Sequence, residues 1–330
     1  MTSLSIKQKA QQYVVLTGMA LFIGLLVGAI DMIFGQGLLL IGDFRSQHWP
    51  LILFLALSGL VIVYLYKRFG GKASKGMGLI FDVGHAREEK IPLVLVPLIM
   101  LTTWMSHLFG GSVGREGVAV QIGATLSHRF ARHIKIPDAS RIFLMTGMAA
   151  GFAGLFQTPL AATFFALEVL TVGELQLMAL YPALIASIVA SFTSHALGLE
   201  KFAVPLRETL SWTPETLIKV AFLGLAFGLA GKLFAVSLSW LKKTVAQVLP
   251  NPYTRIALIG AGLSLVLLTL QLTKVGTYSG LGTNLIDVAF HQGSAHSYDW
   301  ILKLLFTVVT ISAGYQGGEV TPLFAIGATL

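Results

Sequence analysis

Two glutamates stand where an apolar chain has little ordinary reason to place an acid. Glu116 lies in Gly110-Gly-Ser-Val-Gly-Arg-Glu-Gly-Val118, at the start of a short apolar stretch, and Glu319 lies in Gly317-Gly318-Glu319-Val320-Thr321-Pro322, at the start of another. A charge at membrane depth costs about 2.5–3.5 kcal/mol on insertion scales, so such an acid is expected to face a cavity and act there. The glycines around Glu116 leave backbone N–H groups uncovered, and at a helix N-terminus such donors bind anions. An ionised glutamate beside that site can fill it; once protonated it loses its attraction and swings away, which couples an anion to a proton. At Glu319, Pro322 lacks an N–H and suits a first helical turn. The preceding amides and the Thr321 hydroxyl form a second donor cluster. A permanently ionised carboxylate inside it would repel the anion, so Glu319 must hold a proton or move. The bland alternatives are a surface-loop Glu116 paired with Arg115, and a Glu319 that only complements the helix macrodipole.

Other chemistry has little support. The chain has no cysteine, which removes thiolate metal sites and leaves the redox compartment open. Its eight histidines are scattered, without a His-Glu-x-x-His pair, so no metal and no cofactor is expected. The 110–117 glycine stretch lacks the Gly-Lys-Ser/Thr of a phosphate-binding loop. An intramembrane enzyme using Glu116 and Glu319 as acid and base would need a nucleophile or metal constellation, and none is visible.

The elements that must position these acids are membrane helices. Of the 330 residues 55% are apolar and 12% charged, and mean hydropathy is +0.78, so lipid must be the solvent for most of the chain. The 35 glycines agree, since glycine lets membrane helices approach closely. The net charge of +8 does not mark a nucleic-acid surface. Its cations sit in short loops (Lys67, Arg68, Lys72, Lys75, Arg87, Lys90, then Arg129, Arg132, Lys135, Arg141), a positive-inside pattern. That places these loops and the N-terminus in the cytoplasm, and a bacterial inner membrane is the expected location. No signal peptide is visible.

Long apolar runs cover about 13–35, 49–66, 92–109, 140–157, 175–197, 214–241, 253–272 and 299–313, with shorter pieces at 78–86, 114–127, 159–171, 280–290 and 319–330. The short pieces cannot cross ~30 Å of hydrocarbon as straight helices. Broken backbone at that depth survives only against protein or a water-filled cavity, and in transporters such half-helices point at a central substrate. Gly224, Gly228 and Gly231 have the spacing of a helix-packing face. Asp31 reads as interfacial, and Glu168 either faces an inner vestibule or ends a helix.

The chain also repeats itself. Gly-x-Glu begins and Ile-Gly-Ala-Thr-Leu ends both 114–126 and 317–330. Upstream, Leu79-Ile-Phe-Asp-Val83 resembles Leu285-Ile-Asp-Val288; Asp82 precedes Glu116 by 34 residues and Asp287 precedes Glu319 by 32. A duplication with broken helices predicts a site at the repeat interface. We divide residues 1–330, a single transmembrane domain, into a first inverted repeat at about 13–200 and a partial second at about 214–330.

These stretches resemble the CLC family of anion channels and transporters over essentially the whole chain. Gly76-Met77-Gly78-Leu79-Ile80 stands at the family's Gly-Ser-Gly-Ile-Pro, Gly114-Arg115-Glu116-Gly117-Val118 at its Gly-Arg/Lys-Glu-Gly-Pro, and Gly318-Glu319-Val320-Thr321-Pro322 at its Gly-x-Phe-x-Pro. Phe156-Gln157-Thr158-Pro159-Leu160-Ala161 resembles Phe-Asn-Ala-Pro-Leu-Ala. The resemblance implies an all-α membrane protein: a CLC-type inverted-repeat bundle with re-entrant half-helices. The departures are similar to the fluoride/proton antiporter branch. Met77 replaces the chloride-donating serine, Glu319 and Thr321 enter the third motif, and Glu168-Val169 stands where exchangers carry a Glu-Glu pair. The implied function is fluoride export in exchange for protons, with a chloride or nitrate channel or exchanger of the same fold as the alternative. Glu116 and Glu319 become the gating and proton-coupling acids. Met77, Gly78, Gly117, Val118, Glu319, Val320 and Thr321 become the anion-binding set. The branch's paired phenylalanines align with Ile80 and Val83, leaving Phe81 as the nearby aromatic. The family fold continues beyond the third motif, so the chain is expected to be C-terminally incomplete. The implied partners are fluoride or chloride, protons, the lipid bilayer and, with the further helices, a second copy.

Overall fold

The computed structural model describes residues 6–171, 173–204, 211–273, 277–292 and 295–330. Thirteen α-helices follow one another among them: α1 (Ile6–Gln47), α2 (Leu55–Leu65), α3 (Met77–Gly84), α4 (Leu95–Leu108), α5 (Glu116–Ala131), α6 (Ala139–Phe156), α7 (Pro159–Glu168), α8 (Leu180–Ala196), α9 (Pro214–Val248), α10 (Pro252–Leu272), α11 (Thr283–Asp287), α12 (Asp299–Ala313) and α13 (Val320–Thr329). No strand occurs among the described residues; one isolated antiparallel bridge joins Gly114 to Gly318. Six described helical segments are long and apolar enough to cross a membrane. The chain is an integral membrane protein.

Every short apolar piece read from the sequence forms a helix or helical turn. α3 begins after Gly76, whose φ of +54° suits glycine. α7, α9 and α10 begin on a proline at the first position. Thr213 Oγ1 accepts from Thr216 N at 3.2 Å and Asn251 Oδ1 from Tyr253 N at 3.0 Å, which caps the last two. The clearest departure is α1, which continues past residue 35 to Gln47. Gly35 does not interrupt it; a Cβ there would lie 2.7 Å from Leu199, so this glycine makes room for a neighbour.

The described residues fall into two compact units, interleaved along the chain: up to Leu39, Tyr66–Met100 and Glu116–Phe202 in the first; Leu40–Leu65, Leu101–Arg115 and Ala203–Leu330 in the second. In the first unit α5 and α6 touch backbone to backbone. A Cβ on Gly123 would land on the Gly147 carbonyl oxygen, and one on Gly151 on the Ala119 carbonyl. α1 meets α8 the same way, through Gly24 and Gly28 against Ala186 and Ala190. Ala20, Ile23, Val27, Phe143, Ala150, Ala186 and Ala190 fill the resulting core.

In the second unit Phe234 and Leu238 of α9, Leu304, Val308 and Ile311 of α12, and Ile326 of α13 pack around Val113. Tyr315 locks α2 to α10: its hydroxyl donates to Leu55 O at 2.8 Å, in a slot open only because residues 59 and 260 are glycine.

Two expectations are corrected. Asp31 is fully buried rather than interfacial; Gly154 leaves room for its carboxyl, which has no hydrogen-bond partner among the described residues. Gly224, Gly228 and Gly231 have no atom within 4 Å of a would-be Cβ, so among the described residues they pack against nothing.

Candidate functional site

Glu319 belongs to the second unit. α12 closes at Gly314, where φ is +113°, and the chain then runs without helix to Glu319. Gln316 N donates to Ser106 Oγ at 3.1 Å. Gly114 N donates to Gly318 O at 2.6 Å, and Gly318 N to Gly114 O at 2.7 Å. The two similar sequence segments are thus paired, antiparallel, just ahead of both acids: Glu116 follows two residues after Gly114 and Glu319 one residue after Gly318. A Cβ at Gly317 would land on Val113, so this approach requires glycine.

Glu319 takes the N-cap position of α13, half-buried, and its side chain does not cap the helix. The amides of Val320 and Thr321 have no acceptor in a preceding turn, as at any helix start. The Thr321 hydroxyl is buried and has no hydrogen-bond partner among the described residues. A lone buried hydroxyl is unfavourable unless something accepts from it or donates to it. With two amides beside it, the missing partner has the character of a small anion.

Glu116 belongs to the first unit. Glu116 opens α5 and is 1% exposed, which removes the surface-loop alternative. Gly117 is half-buried and Val118 buried. Gln121, which the sequence reading passed over, donates from Nε2 to Gly117 O at 3.0 Å. Its Oε1 lies 3.4 Å from where a Cβ on Gly76 would be, beside the cap of α3, and is buried with no hydrogen-bond partner among the described residues. In α3, Met77 is half-buried and Gly78 exposed, with open space beside it. Ile80 and Val83 are buried in packing, and Phe81 is half-buried. Glu168 is exposed at the last position of α7.

Sequence reading also missed Lys303. It is 0% exposed within α12 and spends all three protons: on Ser112 Oγ at 2.9 Å, Gly280 O at 2.7 Å and Tyr278 O at 3.2 Å. The signal was there, a lone cation in the apolar run 299–313. Through Ser112 it holds the loop that leads to Gly114.

The model of the family described as voltage gated chloride channel matches residues 58–330, which include α3, α5 and α13. The chain belongs to the voltage-gated chloride channel family. Membership of that family places it among ion channels and transporters rather than enzymes. It is 35% identical over 314 residues to a chloride/fluoride channel protein of Pseudomonas syringae pv. tomato, covering 93% of this chain and 69% of that one. It is 28% identical to the H(+)/Cl(-) exchange transporter ClcA of Cronobacter sakazakii, covering 89% of this chain and 65% of the relative. Among solved structures, a CLC-type fluoride/proton antiporter superposes with a TM-score of 0.92 at 47% identity, over 98% of this chain and 80% of the other. A slow cyanobacterial Cl-/H+ antiporter shares the fold, with a TM-score of 0.78 at 20% identity. The family's curated members extend beyond the length spanned here, since the chain covers only 57% of the ClcB channel of Salmonella typhimurium.

Proposed function

We propose that the chain carries fluoride out of the cytoplasm in exchange for protons. The observation that carries this reading is the buried Thr321 hydroxyl, without a partner among the described residues, two residues beyond the half-buried Glu319 at the start of α13. Fluoride is small, holds its water tightly and accepts hydrogen bonds strongly. Stripping that water calls for compact donors, here a hydroxyl and two helix-start amides. Fluoride also accepts a proton more readily than chloride does, so an acid in the path suits it. The likeness to the fluoride/proton antiporter structure at 47% identity supports the same choice.

In this reading Glu116 is the moving gate. Ionised, it occupies the donor set at the start of α5 and blocks anion passage; protonated, it releases that set. Glu319 and Thr321 form the central pair, one handing on protons and the other holding the anion. Met77 and Gly78 present the start of α3 without a side-chain hydroxyl. Phe81 is the aromatic available to line the path. The N-terminus and the basic loops face the cytoplasm of a bacterial inner membrane, and the complete protein pairs with a second copy.

Purified protein in fluoride-loaded liposomes tests the reading through fluoride efflux and proton uptake measured together. Fluoride efflux with stoichiometric proton uptake is expected, and Glu116→Gln should abolish the coupling. Chloride efflux without proton uptake would instead support the channel alternative. Coupling that survives Glu116→Gln would remove Glu116 as the gate.

A further inference from the structure

Arg45 and Lys303 are both laid against one glycine. The Arg45 guanidinium covers Gly280, where a Cβ would stand 3.0 Å from both Nη1 and Nη2, and Gly280 O accepts from Lys303 Nζ at 2.7 Å. The φ of +68° at Gly280 fits the same requirement for glycine. Arg45 Nη1 reaches the carbonyl of His107 at 3.4 Å. Neither cation forms an ion pair with a carboxylate among the described residues. The acid of this region, Asp299, is engaged by the Tyr278 hydroxyl at 2.6 Å and the His296 amide at 2.8 Å. Two like charges gathered at low dielectric repel, and an arrangement that keeps them without a fixed counter-charge favours an anion that comes and goes.

A place for that anion adjoins Arg45. A cavity of about 120 Å³ in the second unit is lined by Arg45, Ser46, Trp49, Gln271, Thr277 and Ser279 among others, with no acid among the described residues of its wall. That is room for a small ion and several waters. Thr277 Oγ1 donates to Gln271 Oε1 at 3.1 Å, which leaves the Gln271 NH2 without an acceptor among the described residues. An arginine that only offset the C-terminal end of the α1 dipole would not call for hydroxyl and amide donors on the facing walls.

We propose that this cavity is a second anion site, separate from the donors around Glu116 and Glu319, that takes a small inorganic monovalent anion of the halide class. Arg45 is the direct ligand, with the Ser279 hydroxyl and the Gln271 amide as neutral donors; Thr277, whose hydroxyl proton goes to Gln271 Oε1 at 3.1 Å, turns that amide toward the ion. Lys303 adds its field through Gly280 without touching the ion. The site stands at the end of α1 remote from the N-terminus.

Trp49 in the cavity wall provides the readout, so binding is measured without reference to transport. The full chain in detergent is titrated with sodium chloride and then sodium fluoride, with gluconate holding ionic strength constant, while tryptophan emission is followed. A saturable change is expected that Trp49→Phe removes. Arg45→Gln should shift its midpoint at least tenfold to higher anion, and Arg45→Lys should recover part of the shift. If Arg45→Gln fails to fold, the double variant Gln271→Leu/Thr277→Val carries the same expectation. Thr321→Val should leave the midpoint unchanged, so failure of the fluoride-transport reading and failure of this site give different results. No saturable change in the unaltered chain, or an unchanged midpoint in both cavity variants, overturns the proposal.

Discussion

Replacing Thr321 by valine keeps the shape and the methyl group and removes only the hydroxyl. Without anion, that hydroxyl is buried and has no partner among the described residues, so deleting it breaks no bond within the protein. An unsatisfied buried polar group costs about 1–3 kcal/mol, and the variant should therefore be as stable as the parent or about 1 kcal/mol more stable in fluoride-free buffer. With fluoride present the sign reverses. A hydrogen bond to a charged group contributes about 1.5–3 kcal/mol, so apparent fluoride affinity should fall about ten- to hundredfold. Denaturation in detergent, with and without fluoride, measures the first quantity and the protection that fluoride confers; efflux from liposomes against fluoride concentration measures the second. A loss of stability in fluoride-free buffer would mean that the hydroxyl has a protein partner. Unchanged fluoride dependence would mean that Thr321 does not touch the anion. Either result refutes the assignment.

Gly147→Ala should prevent or cripple folding of the first unit, because the new methyl meets the Gly123 backbone rather than a movable side chain; Gly78→Ala, with open space beside it, should change stability by less than about 0.5 kcal/mol, and parallel melts compare the two. Lys303→Met leaves the carbonyls of Tyr278 and Gly280 without their Lys303 donor, Ser112 Oγ keeping its bond to the Thr307 hydroxyl, and should destabilise by about 2 kcal/mol; a neutral result in the same melt would show that shedding the buried charge offsets the lost bonds. In the loop that follows α3, Glu88 is met by the Lys72 ammonium at 2.5 Å, which holds its carboxyl below the ordinary value of 4.5. The folded value lies below the unfolded one, so this contribution is fully present above about pH 4.5 and is lost as pH falls through the folded value. Hydrogen exchange in the loop should rise over that acid range, and Glu88→Gln should flatten the response; the effect is small, as for other exposed pairs.

Short helices were legible because glycine and proline mark their starts, as at Gly76, Pro159 and Pro322, and because their apolar runs were too brief to span. The buried placement of Glu116 was legible for a different reason: an acid beside glycines at the start of an apolar stretch has few other uses. Composition cannot show partners. The apolar run was read as ending near residue 35, while α1 continues to Gln47; Gly35 makes room for Leu199, far along the chain. Gly224, Gly228 and Gly231 have the spacing of a packing face, yet spacing does not say whether a neighbour is present, and among the described residues none is. Lys303 was visible as a misplaced cation, but its three acceptors come from residues 112, 278 and 280, a set that no local pattern assembles. Asp31 fails for the same reason, since its burial depends on Gly154 of another helix.

The repeat was legible as similar words; its physical meaning lies in the reciprocal pair of hydrogen bonds between Gly114 and Gly318. Those two bonds hold the approaches to both acids, so a single steric insult there should disturb both ends at once. Gly317→Ala supplies it. The residue is not in the left-handed region, so alanine is conformationally allowed, and the effect comes from a methyl landing on Val113. Overpacking of this kind costs about 1–3 kcal/mol. Val113→Gly alone should cost a similar amount, because Val113 is 0% exposed among Leu304, Val308 and Ile326. Together the two exchange the glycine from one side of the contact to the other. The double variant should then be more stable than the sum of the singles by about 0.5–3 kcal/mol, the range for residues in contact. Fluoride efflux and proton coupling should both drop in Gly317→Ala and both recover partly in the double variant. Recovery of one without the other would show that the two acids are held by separate supports, and additive losses would show that the glycine pair does not position them.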